Sequence, residues 1–354
     1  MAYTTLKPAF LNHKVKTKTA TLYLLTSAVL ISILAVSRQL TCPSRSITVS
    51  AFYYPWYSSS RWIADARRLG TPLLGSYSSN DPSVISKHLK WARYSGIDYL
   101  TYSWLGTDEQ AHPVESASSA AFIAATKSQP TRISALYESP IALNESPDRI
   151  DFHSDYRPGL SNGEKFIKDM LTIAKLAQSH PRYLRIDGCP HAKLYLVRNY
   201  VNQQPFFRAL RERLDRNGLC LDLSADVVEW QVPRYPLKYG PKSSSEQWLW
   251  LSQNFTGVFG YNMYSSNQSV FHVPTTLPFD AAFLRGRLQW ERIWSGYARA
   301  NKLRYEHTIL PGYDDRPLRG TGRSFIPSTP HFLKLSLLQV MANHEFGDAI
   351  NVTS

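Results

Sequence analysis

The sequence is poor in the residues that mark metal and redox sites. It has only three cysteines, Cys42, Cys189 and Cys220, at no spacing used by zinc or iron–sulfur centres, so no metal and no cofactor is expected. No glycine-rich phosphate loop of the GxGxxG kind opens any helical pattern, which removes most of the case for nucleotide binding. No Ser/His/Asp or Cys/His signature of nucleophilic catalysis stands out either. There is no run of five consecutive basic residues, no zinc-finger spacing and no RNA-recognition pattern. The formal net charge of +13 therefore does not point to nucleic acid as a partner.

What the chain does have is apolar and aromatic mass. Of 354 residues, 43% are hydrophobic and 13% aromatic, with 21 Tyr and 9 Trp. That composition suits a deep globular core, and it suits equally a cleft whose rings stack on flat ligands such as sugars. Part of the positive charge sits near the N-terminus, in Lys7, Lys14, Lys16, Lys18 and Arg38. Between these, TATLYLLTSAVLISILAVS from Thr19 to Ser37 carries no charge and as a helix would extend roughly 28 Å, close to a bilayer core. The flanking lysines predict a cytosolic tail over 1–18, a signal-anchor over 19–37, a short stem over 38–46 and a lumenal domain over 47–354. The small residues Ala35-Val36-Ser37 leave a cleaved signal peptide, and hence secretion, as the alternative. Residence in the Golgi is the expectation under the anchored reading.

In an oxidising lumen Cys189 and Cys220 can pair, since each precedes a strand-like stretch (HAKLYLV and LDLSADV) and neighbouring strand starts approach closely. Cys42 is then free or bridges two chains. Glycosylation triplets occur at Asn144, Asn254, Asn267 and Asn351; Asn254 and Asn267 are taken as acceptors, and Asn351, on an inner strand, as unmodified.

From Ser46 onward strand-like and helix-like patterns alternate. SITVSAFYYPW reads as a strand; Asp81-Pro82 then supplies an N-cap and a first-turn proline, Ile85, Leu89 and Ala92 share one helical face, and Gly96 ends the helix. IDYLTYSW, RISALYES, HAKLYLVRNY, LDLSADV, TGVFGYNMY, YEHTILPGYDD and AINVTS continue the strand series, with helices through GEKFIKDMLTIAKLAQ, FFRALRERLDR, Phe279 to Asn301 and HFLKLSLLQVMANHE. This alternation predicts an α/β fold, a (β/α)8 barrel of the TIM type, incomplete at its last strand and helix and preceded by one transmembrane helix.

In such barrels the site lies at the carboxyl ends of the strands. Those ends carry Tyr53, Tyr54, Trp56, Tyr57, Ser103, Trp104, Glu138, Asn199, Tyr200, Tyr261, Asn262, Tyr264, Tyr313, Asp314 and Asp315. An aromatic rim with few carboxylates reads as a sugar cleft. Glycoside hydrolysis generally takes two carboxyl groups. Asp314 and Asp315 are adjacent and point to opposite faces of an extended segment, so Glu138 is the better single candidate for a role in the chemistry.

FYYPWY at 52–57, GSYSSNDPSVISKHLKWARYSGIDYLTYSW at 75–104, HPRYLRIDG at 180–188, TGVFGYNMYSS at 256–266 and LPGYDDRPLR at 310–319 together resemble glycoside hydrolase family 99, the endo-α-mannosidases, and the related WbsX-like proteins. The resemblance runs in order from about Ile47 to the end of the sequence. It implies a hydrolase that cleaves within α-mannosides of mannose-containing glycans with retention, through participation of the sugar's own 2-hydroxyl; a glycan-binding pseudoenzyme or a WbsX-like protein of polysaccharide assembly is the alternative. It also implies that Tyr54, Glu138, His180 and Tyr261 line the substrate cleft, joined by Trp104 and Asp315. Two departures stand out. SSSRW after FYYPWY is shorter than the family's loop, and the family phrase after strand eight that carries the two acid/base glutamates lies beyond Ser354, so no catalytic pair is assigned and the activity of the chain as given is in doubt.

Overall fold

The computed structural model describes residues 48–62, 72–228, 242–261, 279–313, 328–342 and 349–352. The expected tail, anchor at 19–37 and stem lie outside these residues. Among the described residues no helix is long and apolar enough to cross a membrane.

Eight strands pair in parallel, each with its neighbours in sequence: β1 (Thr48–Tyr53), β2 (Tyr99–Trp104), β3 (Arg132–Tyr137), β4 (Cys189–Leu194), β5 (Asp222–Asp226), β6 (Gly257–Phe259), β7 (Arg304–Ile309) and β8 (Ala349–Val352). Pairing of β4 with β5, and of β8 with both β7 and β1, closes the ring. The eighth strand, where the sequence suggested an incomplete barrel, is thus in place, with Asn351 opposite Ser50 on one side and Thr308 on the other. A short strand, Arg185–Ile186, adds antiparallel to β4. Successive barrel strands are linked by α1 (Pro82–Tyr94), α2 (Pro113–Thr126), α3 (Asn162–Ser179), α4 (Gln204–Arg216), α5 (Lys242–Asn254), α6 (Phe279–Ala300) and α7 (Pro330–Ala342). No helix follows β8 among the described residues.

Local chemistry accounts for these elements. Asp81 Oδ1 accepts a 2.8 Å bond from the Ser83 N–H, Pro82 opens α1, and Ile85, Leu89 and Ala92 are the face it buries. Gly96, at φ +73°, supplies the left-handed turn that lets the chain leave α1 for β2. Ser161 caps α3 by accepting from the Glu164 N–H at 3.2 Å. Helices α2 and α5 are absent from the sequence reading. In α2, PVESASSAAFIAAT, small residues replace a 3.6-residue apolar stripe, and burial of Phe122 is what docks it.

Side-chain alternation divides the barrel wall. Outward residues such as Tyr102, Tyr137, Leu194 and Val258 join the core between sheet and helices. Inward residues stack in layers. At the base, Asp222 bonds His191 Nδ1 at 2.7 Å and the Arg304 guanidinium at 2.9 Å. Next, Glu306 holds Lys193 Nζ at 2.6 Å and accepts from Ser224 Oγ at 3.0 Å and Tyr99 OH at 3.4 Å. Above that ion pair, Phe52, Leu136 and Phe259 form an apolar layer, and Lys193 Nζ lies 5.2 Å from the Phe52 ring centroid and 4.9 Å from that of Phe259.

Lys193 is fully buried, so burial draws its pKa down while Glu306 opposes that; the Glu306 carboxyl, although burial disfavours its charge, is held well below the usual carboxylate range by Lys193 and His191. Lys193→Met leaves the Glu306 charge buried without its cation and is expected to lower unfolding free energy by about 3–5 kcal/mol. The joint change with Glu306→Gln is expected to cost less, and denaturant titration showing an equal or larger loss for the pair would refute the ion-pair account.

Cys189 and Cys220 are joined by a disulfide, Cα to Cα 5.3 Å, between the start of β4 and the segment leading into β5. Replacing both with serine is expected to lower stability by about 2–4 kcal/mol. Urea midpoints that coincide with and without reductant would contradict this.

Candidate active site

The apolar layer of Phe52, Leu136 and Phe259 floors a polar and aromatic group at the carboxyl ends of the strands. Alternation along β1 decides which rings reach it. Tyr53 turns outward and stacks on Phe122 of α2 with centroids 4.4 Å apart, while Phe52 and Tyr54 turn inward. Tyr54 OH donates to Tyr261 OH at 2.6 Å, across the barrel mouth from β1 to the end of β6. Tyr195, just past β4, packs its ring 4.7 Å from that of Tyr261. These three rings are half-buried, whereas the acids beneath them are buried.

Glu138, the residue after β3, is 3% exposed. Ser103 Oγ donates to Glu138 Oε1 at 2.9 Å, and Trp56 Nε1 donates to Ser103 Oγ at 3.1 Å. Burial pushes the Glu138 carboxyl up to about 7; the Ser103 hydrogen bond opposes this, and the Asp226 charge adds to it. Asp226 ends β5. Its Oδ1 accepts from the N–H groups of Tyr261 at 3.0 Å and Val228 at 3.1 Å, and its Oδ2 from that of Leu196 at 3.2 Å. Burial raises Asp226 to about 6 against the pull of Arg198 and those three amides. Tyr54 and Tyr261 are raised well above the ordinary tyrosine value, first by burial and then by neighbouring groups, so both are neutral hydroxyls at physiological pH. The group can stack on a ring, donate and accept hydrogen bonds, and hold one titratable proton near neutral pH.

Of the residues expected at the cleft, the fold brings Tyr54, Tyr261 and Glu138 together. Trp104 belongs to the other face of β2: Ser103 points inward, so the next residue points outward, and its ring packs 6.0 Å from Tyr137. His180 is not part of the group. It caps the C-terminus of α3, where Nδ1 accepts from the Arg182 N–H at 3.2 Å and Nε2 donates to the Ile123 carbonyl of α2 at 3.0 Å. Helix C-termini lie at the end of the barrel opposite the strand C-termini, so His180 ties two helices together rather than lining the cleft. Asp315 and Asn267 lie outside the described residues. Asn254, at the end of α5, donates from Nδ2 to the Trp250 carbonyl at 2.7 Å and accepts from Arg211 at 2.8 Å. Asp226 was not foreseen, although the inward alternation Asp222, Ser224, Asp226 along LDLSAD carries the signal. Among the described residues no group of three or more His, Cys, Asp or Glu could hold a metal ion.

No protein-family model matches the chain, and no curated protein matches its sequence. Solved structures do match. A GH99 endo-alpha-mannosidase from Bacteroides thetaiotaomicron in complex with BIS-TRIS-Propane is 16% identical, with 87% of this chain and 83% of that chain covered and a TM-score of 0.56. A second structure of the GH99 endo-alpha-mannosidase from that organism is 13% identical, with 86% and 84% covered and a TM-score of 0.57. The fold is a (β/α) barrel like that of these GH99 endo-alpha-mannosidase structures. The resemblance seen in the motifs extends to three dimensions, and at these identities it is a likeness of fold.

A carboxyl whose folded pKa is raised binds its proton more tightly in the folded state, so its favourable contribution is full below the unfolded value and is lost as pH rises through about 7. Glu138→Gln is therefore expected to remove part of the stability loss between about pH 5 and pH 8, on the order of 1–3 kcal/mol. Thermal midpoints of the two proteins are to be compared at matched pH; parallel profiles would show that Glu138 does not titrate in this range.

Proposed function

We propose that the chain is a glycoside hydrolase-type protein that takes mannose-containing glycans into the mouth of the barrel, with an endo-α-mannosidase-like, retaining reaction as its chemistry. The observation that carries this reading is the convergence of Tyr54, Tyr261 and Glu138 at the carboxyl ends of β1, β6 and β3. Tyrosine rings present flat faces to the apolar side of a pyranose, and their hydroxyls meet the sugar's own. The buried carboxyl with a proton available near neutrality is suited to bond a sugar oxygen or to assist at a leaving group.

A second reading, glycan binding without hydrolysis, draws on one feature of the site. Asp226, the acid nearest in charge to Glu138, is committed to three backbone amides and is not free to act as a base or nucleophile. A lumenal location fits either reading: the Cys189–Cys220 bond suits an oxidising compartment, and the charge-free segment 19–37 would provide the anchor.

Isothermal titration with α-linked manno-oligosaccharides, followed by product analysis on long incubation, tests the proposal. The expected result is saturable binding that weakens about tenfold, roughly 1.4 kcal/mol, in each of Tyr54→Phe and Glu138→Gln. Release of a shorter oligosaccharide favours the hydrolase, and binding without release favours the second reading. Absence of binding at millimolar oligosaccharide by the folded protein would overturn both.

A further inference from the structure

The indole N–H of Trp56 can only donate, so at 3.1 Å from Ser103 Oγ it makes that oxygen an acceptor. The single hydroxyl hydrogen of Ser103 is then directed to Glu138 Oε1 at 2.9 Å. Oε1 must accept in both protonation states, so when Glu138 carries a proton it is borne on Oε2. Ser103 is 1% exposed and sits on the inward face of β2, where neither Ser103 nor the carboxyl can exchange this partner for bulk water.

A second group acts on the same carboxyl from β5, two strands along the wall from β3. Asp226 is fully buried at the end of β5, fixed by the amides of Leu196, Val228 and Tyr261. The titratable groups that face Glu138 are Asp226 from β5, Tyr54 from β1 and Tyr261 from β6, while Arg198 faces Asp226. Both tyrosines are neutral, so among the described residues Asp226 is the charge that Glu138 meets.

We propose that Trp56, Ser103 and Asp226 are positioning residues for Glu138: the Trp56–Ser103 relay assigns its proton to Oε2, and the charge of Asp226 keeps that proton in place. The site thereby presents an oriented acid, one O–H whose oxygen is chosen before any ligand arrives. The inference deepens the proposed glycan-binding role and rests on it for its use, but the two controls on the Glu138 carboxyl can be measured without any glycan.

The two controls have opposite signs. The serine bond favours the carboxylate, so its loss raises the midpoint; the Asp226 charge disfavours the carboxylate, so its loss lowers the midpoint. The experiment is a pH titration of the side-chain carboxyl carbons of 13C-glutamate-labelled protein by NMR, with the Glu138 resonance assigned by its loss in Glu138→Gln. Wild type is expected to titrate near 7, Ser103→Ala above it and Asp226→Asn below it. Ser103→Thr, which keeps the hydroxyl, is expected to restore the wild-type midpoint. A midpoint in Ser103→Ala that is unchanged or lower overturns the proposal, as does an Asp226→Asn midpoint that fails to fall. Should Asp226→Asn not fold, Ser103→Ala and its threonine rescue decide alone, since a generally loosened site would not be repaired by one hydroxyl. Opposed shifts in a protein that binds no manno-oligosaccharide would uphold this inference while defeating the functional one.

Discussion

Everything at the mouth of the barrel stands on the Glu306 carboxylate in its interior. A ring of eight short strands leaves a lumen that must be filled, and barrels of this type generally fill it with branched apolar side chains. Here the filling beneath the apolar layer is ionic. Lys193 and Glu306 face each other at 2.6 Å from β4 and β7, with Tyr99 and Ser224 also donating to the acid. One side chain of β7 thus contacts groups from β2, β4 and β5, a cross-bracing that backbone pairing between adjacent strands cannot give. Such a pair gains little over apolar packing in net energy, but its geometry is demanding, and a strand slipped by one residue would leave a charge without its partner.

The polar base also explains why the acid above it is so responsive. Phe52, Leu136 and Phe259 close off the ion pair from the mouth, so Glu138 does not share its cation. With no cationic partner among the described residues, the carboxyl is left to desolvation, one hydroxyl donor and one neighbouring acid, and its proton is held to about pH 7. Two glutamates on inward faces of the same barrel therefore behave in opposite ways: Glu306 is held ionised by Lys193 and His191, and Glu138 is held partly neutral by their absence.

Much of this was legible in the residues. The strand and helix series, the Asp81-Pro82 start of α1 and the pairing of Cys189 with Cys220 follow from local chemistry that the fold does not override. The period-two alternation that put Tyr54 inward was equally available for β2, where it assigns Ser103 to the lumen and Trp104 to the helix layer. The motif resemblance that implies a cleft position for Trp104 does not carry the facing of its side chain. His180 shows a different limit, because a short motif carries the order of the chain but not the end of the barrel at which a loop emerges. Helix α2 escaped notice since its helical content depends on packing Phe122 against the sheet, a tertiary cause with little trace in PVESASSAAFIAAT.

Asp226 has a mechanical consequence as well as an electrostatic one. Its two oxygens grip the backbone at Leu196, Val228 and Tyr261, which are the points where the chain leaves three successive strands. Three strand exits share one rivet, so a ligand that orders any of them finds the others already ordered. The entropy of arranging the mouth is spent once, during folding, and the incoming ligand meets a surface whose parts yield together or not at all.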